Sequence, residues 1–306
     1  MLSWPAVVTI DDSPDEVIET FKQAHKQGVE GDVMTLKMGR KPAVYTRDSL
    51  VRSHIMAQSL GALGAPPTHS PNWTSAVSRQ SQTGWHMYGN DTYGDCVIAD
   101  CAHQMMLRTA NVGDISAPTP TQVLALYAFF QGMKIDPNAS NPNLSQIEAY
   151  LGQNDNGCDE VTVIQWLTKT GWLGHKLDSY ANLDPTQLNL LKWAVCIFGS
   201  CRLGLNLPES AESQFNARET WTPVPGAQLA GGHDVPLVYY DSAGAGVLTW
   251  GRYQPVSWSF LTAKFSDGTP YLEEAHAELS FDWVNTAGLS PSNLNLKQLL
   301  ADLQQI

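Results

Sequence analysis

The sequence predicts an α+β protein in which a helical half precedes an antiparallel β half. Two observations carry that expectation. Helix start signals recur between residues 90 and 195, and short apolar runs bounded by Gly, Pro or Asp fill residues 195–251. A third concerns chemistry. A glycine turn delivers Cys96 to the start of an apolar helix, and Gly231-Gly-His233 opens an apolar strand much later.

Residues 1–62 read as an N-terminal extension. Ser13-Pro-Asp-Glu has the form of a capped helix start, with Ser at the cap and Pro at the first helical position. That helix is expected to stop near Gly28, and a second short one is expected over Arg47–Leu60. Between them, Met34 to Tyr45 reads as an extended arm, suited to a neighbouring surface rather than to filling a cleft. Gly61–Ser70, rich in Gly, Pro and Ala, is the linker candidate.

The compact domain is placed at residues 63–260. Cys96–Ala110 reads as a helix with weak amphipathicity, and Thr119-Pro-Thr-Gln signals a second. Asp159–Thr170, ended by Gly171, gives a third, and Thr186–Ala194 a fourth. Strand character follows in Val195–Phe198, Arg202–Leu207, Val235–Tyr240 and Val247–Gly251. Tyr240-Asp-Ser-Ala-Gly-Ala-Gly joins two of these as a hairpin. Residues 261–306 are left as a C-terminal extension whose leucines at 294, 296, 299, 300 and 303 predict an amphipathic terminal helix.

The chain has 306 residues, a net charge of −12, 43% hydrophobic residues and ten Trp. A core of ordinary size fits that composition, and the acidity argues against nucleic acid or an anionic membrane surface as partner. No stretch approaches the roughly 20 apolar residues needed to span a bilayer, and the N-terminus lacks the basic flank of a signal peptide. Five cysteines is an odd number, so a complete disulfide framework leaves one thiol over. Free thiols in a reducing, cytoplasmic setting are the expectation, with no cofactor and no metal. The Cys96/Cys101 and Cys196/Cys201 spacings suit zinc poorly.

A thiol is a nucleophile only as thiolate, and a helix N-terminus with a nearby imidazole lowers its pKa. Cys96 and His233 are therefore the candidate catalytic pair, with Cys96 expected to react faster than an ordinary thiol. Cys101 points to another face of its helix and reads as core. His103 reads as a hydrogen-bonded helix residue rather than a base.

The order of these pieces resembles the papain-like cysteine peptidases across roughly residues 65–260. Ser70-Pro-Asn-Trp-Thr-Ser-Ala-Val resembles that family's extended lead-in, and Gly157-Cys158-Asp159 its glycine-cysteine turn. Ala194–Leu207 is similar to its Gly-Pro-Val strand, and His233 through Trp250-Gly251 to its histidine hairpin. The resemblance implies Cys96 as nucleophile, His233 as proton carrier and Asn90, in place of the usual glutamine, in the oxyanion hole. The asparagine that orients the histidine is missing. Thr249 replaces it better than Leu248, which cannot hydrogen-bond, and Asp241 is a remote substitute. Asp95, where the family has serine, is expected to cap the helix while disfavouring a neighbouring thiolate.

The implied activity is hydrolysis of an amide, isopeptide or thioester in a peptide-like substrate. The alternative is a papain-fold protein that has lost catalysis and serves as a binding or structural module. The resemblance reaches bacterial and bacteriophage proteins, so a virion or assembly role is included there. Both extensions are expected to persist and to pack on the domain or on a second copy, giving a homo-oligomer or larger assembly.

Overall fold

The structure, a computed structural model, describes residues 36–43, 63–293 and 295. The helices expected from Ser13, over Arg47–Leu60 and from Leu294 lie outside the described residues. In chain order the elements begin with β1 (Arg40–Lys41), α1 (Thr74–Gln80), α2 (Cys96–Val112), α3 (Pro120–Phe130) and α4 (Leu144–Leu151). The middle of the chain forms β2 (Cys158–Asp159), α5 (Glu160–Lys169), β3 (Leu177–Leu183), α6 (Leu188–Phe198), β4 (Cys201–Pro208) and α7 (Glu209–Asn216). Last come β5 (Leu229–Tyr240), β6 (Gly244–Thr249), β7 (Arg252–Ser257), α8 (Trp258–Leu261) and β8 (Leu272–Ser280).

Two hydrophobic clusters divide the molecule. One gathers α2, α3 and α5 around Val97, Ile98, Met106, Leu126 and Val163. The other packs the sheet against α6 through Leu191, Phe198, Leu205, Val235 and Val247. Helix α2 belongs to both. Every residue from Cys96 to Ala110 is buried, which explains its weak amphipathicity: a helix covered on all sides has no solvent face to mark. The α3 start is as its sequence signals it. Thr119 and Gln122 form a reciprocal capping box, a device worth about 0.5–2 kcal/mol.

The large sheet is antiparallel, in the order β3-β8-β4-β5-β6-β7. Three expectations change here. Val195–Phe198 is not a strand but the last turn of α6, which stops where Gly199 takes a left-handed φ of 82°. A short apolar run bounded by glycine fits either state, and here the helical spacing of Leu190, Leu191, Ala194 and Val195 prevails. Thr74–Gln80 is helical, so the extended lead-in ends at Trp73.

The third change concerns the domain boundary. β8 lies inside the sheet between β3 and β4, so the domain continues past residue 260 and residues 261–280 are not an extension. The apolar pattern does not mark β8, because Glu273, Glu274, His276 and Glu278 interrupt it. Glu274 and Glu278 are polar because they face the buried Arg40, Arg108 and Arg202, and His276 because it faces Glu160 and Glu274.

Candidate active site and its occupied groove

The turn that leads into α2 and the strand β5 face one another across a groove. Cys96 opens α2, 1% exposed, and His233 lies on β5, also 1% exposed. His233 Nε2 sits 2.7 Å from Thr249 Oγ1 at the end of β6. Its ring stacks on Trp250, with centroids 4.5 Å apart and an interplanar angle of 20°. Leu248, one residue earlier, is core. Asp241 is engaged elsewhere, accepting from the backbone N–H groups of Ala243 and Gly244 in the hairpin turn. The structure thus brings Thr249 to the histidine and keeps Asp241 away.

The groove is filled by the chain's own residues 36–43. Gly39 N–H donates to Gly232 O on one wall at 3.1 Å, and Cys158 N–H donates to Gly39 O on the other at 2.8 Å. Lys37 N–H donates to Asn90 O at 3.2 Å. The Asn90 side-chain amide in turn donates to Lys37 O at 3.5 Å and to Tyr93 O at 3.3 Å. β1 runs parallel to β2, with Arg40 opposite Cys158.

Only glycines permit this approach. A β-carbon on Gly39 would overlap the Gly94 carbonyl, one on Gly157 the Gly39 carbonyl, and one on Gly232 the Arg40 carbonyl. One on Gly231 would meet Met38 Cβ at 2.8 Å. The arm expected to lie on a neighbouring surface therefore lies in the cleft. The double glycine before His233 does mark a close backbone approach, and the partner is this segment.

Electrostatics differ from the expectation for an activated pair. Burial, followed by the Asp234 carboxylate, pushes the Cys96 thiol well above its usual range. The backbone N–H groups of Asp234 and Gly39 act the other way and do not prevail. Burial and then the Arg40 charge lower the His233 imidazole to about 3. Near neutral pH the thiol and the ring are both uncharged. No hydrogen bond joins Cys96 to His233, and His233 Nδ1 has no hydrogen-bond partner among the described residues.

Asp95 makes no side-chain cap to α2. Burial holds its carboxyl well above the ordinary range, with the Asn90 amide opposing that shift. The reason is geometric: Asp95 is fully buried at the foot of the Gly94 turn, so its side chain enters the core instead of returning to the helix end.

Two charged networks that the residue pattern does not announce flank the groove. In the first, Arg202 is buried among Asp234 at 2.6 Å, Glu278 at 2.7 Å and Asp100 at 3.0 Å, tying α2 to β4, β5 and β8. Its Nη2 also donates to Cys101 Sγ at 3.2 Å, so Cys101 is a core contact as expected. In the second, Arg40 of the arm reaches Glu274 at 2.6 Å, Glu273 at 2.5 Å and Glu160 at 3.7 Å. His276 Nε2 lies 3.1 Å from Glu160 and 3.6 Å from Glu274.

Among the described residues, Glu160, Glu274 and His276 are the one group whose ligand atoms cluster closely enough for a metal ion. The Arg40 guanidinium already supplies positive charge there. All five cysteines are free and buried, and none joins that group. His103 is a buried helix residue, as expected, with Nε2 2.9 Å from His86 O and its pKa lowered by burial to about 4.

No family model matches the sequence, and no curated protein matches it either. Solved structures do. Xylellain, a cysteine protease from Xylella fastidiosa, superposes with a TM-score of 0.54 at 13% identity, over 82% of this chain and 99% of that one. Procathepsin B S9 from Trypanosoma congolense gives 0.46 at 7% identity, over 88% and 98%. A cysteine protease from Carica candamarcensis gives 0.44 at 10% identity, over 70% and 98%. The likeness to xylellain establishes the architecture. This chain has the papain-like fold, in a divergent version. Among the described residues, no helix is long and apolar enough to cross a membrane.

Proposed function

We propose that this protein is a papain-fold cysteine hydrolase held in a self-occupied, latent state. Cys96 is its nucleophile, His233 its proton carrier and Thr249 the group that orients the ring. The observation that carries the reading is the strand-like seating of residues 36–43 between the Cys96 turn and the His233 strand. A groove that binds an extended peptide backbone on both walls is suited to a peptide substrate.

In the free groove, water reaches the thiol and the imidazole, and the desolvation that keeps both neutral falls away. The thiolate then attacks a carbonyl carbon while His233 holds the proton and returns it to the leaving amine. The Cys96 backbone N–H and the Asn90 side chain stabilise the oxyanion. Asn90 is one methylene shorter than glutamine, and its amide already approaches a carbonyl, that of Lys37.

A second reading keeps the fold and drops the catalysis: a binding or structural module, with a virion or assembly component among its forms. It draws support from the absence of a Cys96–His233 hydrogen bond and from the buried Asp95 beside the thiol. Alkylation by iodoacetamide at pH 7 separates the two. In Gly39→Val, whose side chain has no room against Gly94, Cys96 should label faster than a denatured-state cysteine, and Cys96→Ala should abolish that signal. Labelling of Gly39→Val no faster than that of the denatured chain would leave the second reading standing.

A further inference from the structure

The cation that closes the second charged network arrives on the arm, and its pocket belongs to the groove. Arg40 presents one terminal nitrogen to Glu274 at 2.6 Å and the other to Glu273 at 2.5 Å and Asn206 Oδ1 at 3.3 Å. Its Nε faces Glu160 at 3.7 Å. The stem passes over Gly204, where a β-carbon would come within 2.5 Å of Glu160 Oε1 and 3.1 Å of Arg40 Cδ. Glycine at that position gives the channel its depth.

Two further facts indicate a site built for a cation. Glu160 is fully buried, and both of its oxygens face cations, Oε1 toward Arg40 Nε at 3.7 Å and Oε2 toward His276 Nε2 at 3.1 Å. And the balance is uneven: Glu160, Glu273 and Glu274 face Arg40 and His276, whose imidazole is raised by the two glutamates to about 9 despite burial. Without Arg40, three carboxylates would face one cation.

We propose that the pocket formed by Glu160, Glu273, Glu274 and Asn206 is an arginine subsite of the substrate groove, and that Arg40 is its internal occupant. The inference rests on the latent-hydrolase reading in so far as it names what that groove selects: extended peptides carrying an arginine. The guanidinium fork meets two carboxylates at once, which a lysine ammonium cannot do. An apolar side chain would leave buried carboxylates without a counter-charge.

The test uses the full chain as Gly39→Val/Cys96→Ala, in which the arm is displaced and nothing can be cut. A fluorescein-labelled hexapeptide, Lys-Met-Gly-Arg-Lys-Pro, is titrated by anisotropy against versions with Lys or Leu in place of Arg. The arginine peptide is expected to bind at least about tenfold more tightly than the lysine one and on the order of a hundredfold more tightly than the leucine one. Glu274→Gln in the receptor should remove most of that preference. Equal binding of the three peptides overturns the proposal.

Should the double variant fail to fold, Arg40→Ala in the otherwise native chain supplies a second readout. Ethylguanidinium should raise its melting temperature more than ethylammonium does, and equal effects again overturn the subsite. The two readings fail separately. Selective arginine binding with an unreactive Cys96 removes the hydrolase and keeps the subsite, whereas a reactive Cys96 with unselective binding does the reverse.

Discussion

Gly39 and Gly94 pass so close that a β-carbon on Gly39 would lie inside the Gly94 carbonyl group. The contact places the arm's main chain directly against the turn that carries Cys96. Gly39→Ala is therefore expected to loosen the arm without touching α2. Amide hydrogen exchange reads the difference: Cys158 N–H, which donates to Gly39 O, should lose protection, while α2 amides such as Ala102 keep theirs. Unchanged protection at Cys158 would mean that the arm tolerates the added methyl and that the glycine contact is not what limits its seat.

Thr249 is the described partner of the His233 Nε2, at 2.7 Å. Thr249→Val keeps the shape and removes the hydroxyl, leaving a buried ring nitrogen unsatisfied. The expected cost is about 1–3 kcal/mol in urea unfolding. Thr249→Ser, which restores the oxygen, should recover most of it. Equal losses in the two variants would point to packing of the methyl instead of the hydrogen bond.

The pH dependence of stability has a defined sign near neutrality. Burial opposes protonation of His276, but Glu160 and Glu274 prevail and raise it from 6.5 to about 9. A raised folded-state pKa stabilises fully below the unfolded value of 6.5, and that stabilisation is lost as pH climbs toward 9. Unfolding free energy should fall by about 3 kcal/mol across that window. His276→Gln should be less stable than the native chain at pH 6 yet flatter between pH 6.5 and 9. The buried histidines His103 and His233, lowered to about 4 and about 3, act only below that window. The buried thiols, with Cys196 raised by burial to about 11, act only above it. A native curve that stays flat from pH 6.5 to 9 would show that His276 is not held protonated.

What the residues disclosed and what they concealed separate along a physical line. Local signals read correctly: Thr119 as the cap of α3 and the hairpin turn after Tyr240 both depend on neighbours in sequence. Long-range pairing did not. Arg40 and Glu274 are 234 residues apart, and nothing near either residue marks them as partners. The same holds for Arg202 with Asp100 and Glu278. The Cys96 environment failed for a related reason. A helix N-terminus lowers a thiol pKa when the site is wet, but burial under the arm and beside Asp234 outweighs it here. The resemblance marks Asn90 as a candidate for the glutamine position, whereas nothing in the sequence marks the Lys37 carbonyl that meets it.

The arm's orientation bears on its own fate. Cleavage needs a carbonyl carbon at the Cys96 sulfur, and in this seating the Gly39 N–H is committed to Gly232 O. The Gly39 carbonyl points to Cys158 N–H on the opposite wall. The Gly39 carbonyl is therefore not presented to Cys96 in this seating, even if the thiol ionises. The native protein, held at pH 7 and 25 °C for a day, should keep its peptide bonds between residues 36 and 43. Intact mass spectrometry checks this directly. Gly39→Val, with its arm out of the groove, tests the source of the resistance: if it too stays whole while Cys96 becomes reactive, displacement alone does not present the arm for cutting. A native chain that cuts itself after Gly39 would contradict the geometry, because it would require the arm to rebind with the Gly39 carbonyl released from Cys158.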